Sequence, residues 1–198
     1  MPYRICLISL GCAKNQVNSE QMLYLLNQAG HEVVGEVEGC DVAIVNTCGF
    51  IDSAKEEAID TILAAAHLKA EGQVRKILVT GCLTQRYQQE ILTELPEVDG
   101  IMGTGSYGEI VAALEELMDG GHPCRFASIH GRIDEFDRVL TTPKHSAERR
   151  SAEGCDNHCA YWVLPSLRGR DRSRGMEVVL AGAKKLADAG VQEGIVIA

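Results

Sequence analysis

No run of about eighteen apolar residues occurs in this 198-residue chain, so nothing in it reads as a helical membrane span. The opening MPYRICLISLG lacks the charged-then-apolar leader of a secreted protein. Cations are scarce as well. Residues 1 to 120 hold 7 Lys or Arg against 18 Asp or Glu, a net of −11, whereas residues 121 to 198 hold 12 against 10. An acidic first part argues against direct nucleic acid binding, which needs clustered cations to displace counterions. Such a surface suits a basic protein partner, although solubility alone is reason enough for it. The imbalance also suggests two modules. Eight cysteines without a leader read as metal or redox ligands in a reduced cytoplasmic compartment rather than as a disulfide framework.

What is present is an alternation of apolar runs with helix-period segments: RICLISL, VNSEQMLYLLNQAG, DVAIVN, SAKEEAIDTILAAAHLKA, KILVTG, TQRYQQEILTEL, GIMG and EIVAALEELMDGG. Short continuous apolar runs between amphipathic helices predict βαβ units and an α/β fold, a doubly wound parallel sheet over residues 1–121. Asp52 or Ser53 is placed to cap the second helix, and Gly30 and Gly120 suit helix C-termini. Residues 122–150 are polar with little period and read as a connector. Residues 151–198 contain one loop, one helix-like MEVVLAGAKKLADAG and one apolar GIVIA, the start of a further (β/α) unit with an open edge. The preceding SAERRSA reads as too polar for a buried strand, since its adjacent arginines would need partners.

Cys12, Cys48 and Cys82 each lie just past the end of a predicted strand. In a parallel sheet those ends share one edge, where doubly wound folds bind ligands. Each cysteine has an adjacent glycine, which permits a tight turn and close backbone approach. Three thiols with no fourth suggest a shared cluster, or a zinc ion with an open position. Taken singly, each is equally a small buried hydrophobe. Cys6 falls inside a strand and reads as core; Cys40 and Cys124 have no assigned role.

Cys155 and Cys159 form two thirds of a C-x3-C-x2-C run, the ligand spacing of a 4Fe-4S cluster that keeps one iron open. Trp162 stands where the third cysteine would be. An indole offers an N–H donor and no lone pair for a metal.

The strings SLGCAKNQVNSEQM, VNTCGFIDSAKEEAI, GCLTQRY with LPEVDGIMGTG, GRIDEFDRVLTTPKH, and EGCDNHC with PSLRGR and RSR span nearly the whole chain. Together they resemble the radical-SAM methylthiotransferases, and more closely the branch acting on a ribosomal protein than its tRNA-modifying relatives. The resemblance implies two 4Fe-4S clusters and S-adenosyl-L-methionine. Cys12, Cys48 and Cys82 would hold the auxiliary cluster, and Cys155 and Cys159 would belong to the radical-SAM cluster at the start of a (β/α) barrel. The implied reaction is methylthiolation of an aspartate in a small-subunit ribosomal protein. Tyr161 would pack near the bound S-adenosylmethionine, or else serve as core. Arg168, Arg170, Arg172 and Arg174 would meet carboxylates or the substrate protein, or form a solvated loop.

Three features depart from that family: Trp162 at the third ligand position, the polar SAERRSA, and a barrel of which only the first units are present. All lie in the second module. The expectation for this chain is therefore an intact auxiliary site beside an impaired radical-SAM site. The alternatives are a non-catalytic iron-sulfur-binding fragment or a relative of the tRNA-modifying methylthiotransferases.

Overall fold

Alternating side chains along the four central strands of the first module enter two separate cores, one on each face of a single parallel sheet. The computed structural model describes residues 2–131, 136–143, 145–157, 159–161 and 163–198. The first module runs β1 (Arg4–Ser9), α1 (Ala13–Gln28), β2 (Glu32–Val34), β3 (Val42–Thr47), α2 (Asp52–Ala70), β4 (Lys76–Gly81), α3 (Cys82–Tyr87), α4 (Gln89–Glu94), β5 (Gly100–Met102), a 3-10 turn (Tyr107–Glu109), α5 (Ile110–Met118) and β6 (Cys124–Arg125). The sheet order is β2-β1-β3-β4-β5-β6, parallel throughout. Ile5, Val42, Ile44, Leu78 and Met102 pack against α1 and α5. Cys6, Ala43, Val45, Ile77, Val79 and Ile101 pack against α2, α3 and α4. Helices thus cover both faces, and β3 at the centre is buried at every position. Burying one Ile or Leu fully stabilises the fold by about 1.5–3 kcal/mol.

The doubly wound expectation holds, with local differences. Two short edge strands, β2 and β6, lie outside the predicted runs. Asp52 opens α2 without capping it: Ile51 is the N-cap, with no side-chain cap bond, and the Asp52 carboxylate accepts from Lys55 Nζ at 2.6 Å. Lys55, one turn on, outcompetes the backbone amides for it, while the acidic first turn still favours the helix dipole. The predicted TQRYQQEILTEL helix is divided between α3 and α4 by Gln88, whose φ of 46° breaks the helical run. Gly30 and Gly120 follow their helices in the left-handed region, as expected.

The second module adds β7 (Ser146–Arg150), β8 (Ala152–Glu153), α6 (Leu164–Arg168), β9 (Arg172–Ser173), α7 (Met176–Asp188) and β10 (Glu193–Ile197). β7 and β10 pair in parallel with α7 between them, one βαβ unit, while β8 and β9 pair antiparallel. No residue of α7 is buried.

Two expectations about the polar segments are corrected. SAERR does form a strand, with Ala147 and Arg150 buried. Arg150 finds the partners a buried arginine needs: Nη1 donates to Glu153 Oε2 at 2.7 Å and Nη2 to Gln21 Oε1 at 3.1 Å. The connector range contributes β6 to the sheet, fixed by Arg125 against Glu109 and Glu116 at 3.2 and 2.7 Å. Further on, it wraps α1. The buried Glu20 carboxylate accepts from Arg138 Nη1 at 3.1 Å and from the Thr141 amide and hydroxyl at 2.9 and 3.0 Å. This wrapping explains why Asn15, Asn18, Ser19, Glu20 and Gln21 are buried on a helix whose polar side reads as solvent-facing in the sequence.

Candidate metal centre at the sheet edge

Cys12 is the N-cap of α1, just past β1; Cys48 follows β3; Cys82 opens α3 directly after β4. In the observed order β1 and β3 flank the point where the strand sequence reverses, the usual ligand site of such sheets. Cys12 and Cys48 therefore stand at the switch point, with Cys82 on the next strand along. Cys12 is exposed, while Cys48 and Cys82 are buried.

The adjacent glycines bring the three loops against one another. Gly11 has φ +89°, and a Cβ there would lie 2.6 Å from Cys48 Cβ. A Cβ on Gly49 would lie 2.9 Å from both the backbone N and Cα of Leu83, and 3.0 Å from the carbonyl carbon of Cys82. Side chains at either position would force the cysteine loops apart. The close approach that the glycines permit is thus between loops of the chain itself. Asn15 ties them: Nδ2 donates to the carbonyls of Leu10 and Thr47 at 2.9 and 2.8 Å, and its own carbonyl accepts from Asn46 Nδ2 at 3.0 Å. Burial pushes the Cys82 thiol up, with Arg168 opposing the shift and Cys48 and Cys12 adding to it. Among the described residues no three His, Cys, Asp or Glu side chains are grouped to hold a metal ion. A 4Fe-4S cluster is a larger object, and its ligands bind different irons rather than one point.

A buried ionic cluster adjoins this edge. Arg168 Nη1 donates to Asn18 Oδ1 at 2.8 Å and to Glu153 Oε1 at 3.4 Å; Nη2 donates to Asn15 Oδ1 at 2.5 Å and approaches Cys82 Sγ at 3.6 Å. Lys14 Nζ is 3.9 Å from Glu153 Oε1 and has no hydrogen-bond partner among the described residues. One carboxylate thus faces Lys14, Arg150 and Arg168. Burial works against the Glu153 charge, but Arg168, Arg150 and Lys14 hold the carboxyl below its usual range. Burial pulls Arg150 down to about 10, against Glu153, and lowers Lys14 too. An excess of buried cations next to three thiols is an environment that favours an anionic occupant. A thiolate-ligated iron-sulfur cluster fits it.

The second motif is different. Cys155 is half-buried and Cys159 exposed, in the loop between β8 and α6. The Asn157 amide donates to Cys155 Sγ at 3.4 Å. Trp162 lies outside the described residues; by its chemistry it supplies no ligand, so the motif offers two thiols where a cluster with one open iron takes three. That donor set does not fit. Tyr161 is 84% exposed and so packs in no core. Cys6 and Cys40 are buried in the core, where burial pushes Cys6 up to about 11, and Cys124 is exposed on β6. Of the four arginines, Arg168 is buried, and Arg172 donates to the carbonyls of Gly131 and Arg168 at 2.7 and 2.8 Å. Asn15, Asn46, Lys14 and Glu153 escape the sequence reading, because a polar residue in a helix or strand carries no mark of being buried.

No helix among the described residues is long and apolar enough to cross a membrane. The chain is 47% identical over 196 residues to the ribosomal protein uS12 methylthiotransferase RimO of Clostridioides difficile, across 98% of this chain and 44% of that protein. To the RimO of Pelotomaculum thermopropionicum it is 47% identical over 201 residues, across 100% of this chain and 45% of that protein. It therefore spans less than half the length of these relatives. The fold resembles that of TsrM from Kitasatospora setae, a radical S-adenosylmethionine methyltransferase, with a TM-score of 0.66 at 12% identity over 98% of this chain and 47% of that one. Residues 4–103, half of the chain, match the model of uncharacterized protein family UPF0004, and the chain belongs to that family.

Proposed function

We propose that this chain is a radical-SAM methylthiotransferase of the ribosomal-protein type, acting in the cytoplasm on an aspartate of a small-subunit ribosomal protein, in which the auxiliary-cluster site is intact and the radical-SAM site is not. The observation that carries the reading is the meeting of Cys12, Cys48 and Cys82 at one sheet edge, beside a buried cation excess. Identity of 47% to RimO proteins supports the substrate class.

Cys12, Cys48 and Cys82 would ligate the auxiliary 4Fe-4S cluster, which when bound supplies an open iron for the sulfur to be donated. The chain's own residues prepare that site. Asn15 fixes the loops that carry the cysteines, and the burial of Cys48 and Cys82 keeps water from their sulfurs. Lys14 and Arg168 supply positive charge against thiolates. For a second cluster the residues do not suffice, and no step through one is derived. Binding of S-adenosylmethionine near Tyr161 belongs to that second site.

The radical half is tested by incubating the anaerobically reconstituted chain with S-adenosylmethionine and dithionite and measuring 5′-deoxyadenosine. Little or none is expected from the chain as it stands, and release at many turnovers would overturn the proposed impairment. A Trp162→Cys variant supplies the missing thiol and is expected to raise the iron bound per chain.

A further inference from the structure

One residue that touches the three-cysteine edge comes from outside the first module. Arg168 ends α6, is 3% exposed, and lies 153 residues from Asn15 and 86 from Cys82 in sequence. It is gripped from both sides: Glu153 on β8 belongs to the second module, and Asn15, Asn18 and Cys82 to the first. Glu153 is already shared with Arg150 and Lys14, so one carboxylate cannot balance all three cations. Arg168 Nη2 itself turns away from Glu153, to the Asn15 amide oxygen and the Cys82 sulfur.

We propose that Arg168 is a positioning residue for the cluster held by Cys12, Cys48 and Cys82: its N–H groups orient the Cys82 sulfur, and its charge offsets the thiolates. The site is then composite, complete only when the second module is docked. The proposal rests on the reading that these cysteines hold a cluster. Hydrogen bonds to the sulfurs and nearby positive charge make a cluster easier to reduce. Lys14 adds charge from the start of α1 but, among the described residues, no hydrogen bond. A lysine at 168 would keep the charge and lose the rigid fork that reaches Asn15 and Cys82 together.

The test uses the full chain, reconstituted anaerobically with iron and sulfide, as the parent, Arg168→Gln and Arg168→Lys. Iron per chain and the midpoint potential, followed by electron paramagnetic resonance during redox titration, are measured for each. Arg168→Gln is expected to bind iron like the parent but to titrate at a more negative potential, and Arg168→Lys to recover most of that shift. A purely structural role would lower the unfolding temperature and leave the potential alone. If the parent binds iron and Arg168→Gln titrates with it, the role of Arg168 is refuted and the cluster reading stands. If the parent binds no iron, the cluster reading fails and the proposal fails with it. Should Arg168→Gln not fold, Arg168→Lys decides: a small negative shift supports the role, and a potential equal to the parent's refutes it.

Discussion

The two modules are built from the same βαβ unit, yet they bury very different amounts of it. In the first, six strands and their helices stack until Ile5, Ile44, Leu78, Ile101 and Leu114 are fully enclosed. In the second, a single unit leaves Met176 72%, Leu180 60% and Val196 69% exposed. A strand pair with one helix covers one face at most, and closure of a (β/α) barrel needs more units than the two strands β7 and β10. Apart from the buried Ala147, Ala152 and Leu167, what holds the second module in place is polar. The Glu153, Arg150 and Arg168 cluster and the Glu20, Arg138 and Thr141 contacts join it to α1.

The sharpest way to break this contrast is to remove the carboxylate at its centre. Glu153→Ala strands buried guanidinium charge and is expected to cost about 3–5 kcal/mol, read as a lower urea midpoint. The second module should release first, visible as proteolysis between β7 and β10 before the sheet unfolds. Next comes a paired truncation. Ile44→Ala, in the enclosed core, is expected to cost about 2–5 kcal/mol, whereas Leu180→Ala on exposed α7 should stay within about 0.5 kcal/mol. Equal losses at the two sites would refute the difference in burial.

A smaller effect separates ion pairs of the two modules by pH. Burial disfavours the Asp99 charge, but bonds from Lys69 at 2.5 Å, the Ile77 amide at 2.9 Å and Lys76 at 2.9 Å hold its carboxyl below the ordinary 3.8. Because the folded value is depressed, its contribution is full above the unfolded value and is lost as pH falls through the folded one. Asp99→Asn should thus cost about 1–3 kcal/mol at pH 7, with the gap to the parent closing at a pH below 3.8. Asp188→Asn removes the partner of Lys184 from a pair 75% and 64% exposed, and should change little at either pH.

The elements legible in the sequence were those whose signal is local. Four apolar runs gave β1, β3, β4 and β5, and the position of each cysteine after a run placed it at the sheet edge. Edge strands β2 and β6, of three and two residues, are too short to carry a period. The polar half of α1 misleads for a different reason: its cover comes from residues 138 to 168, and no pattern within the helix records a partner so distant. Arg150 and Arg168 misread likewise, because buried arginine and solvated arginine look alike until Glu153 is seen between them. The missing thiol at Trp162 needed no structure at all, since it follows from what an indole can donate.

The central claim is that one cluster site is whole and the other is not, and iron counting tests it most directly. After anaerobic reconstitution the chain is expected to hold about four irons, and a Cys12→Ser, Cys48→Ser, Cys82→Ser variant close to none. About eight irons in the parent, or four that survive the triple substitution, would contradict it.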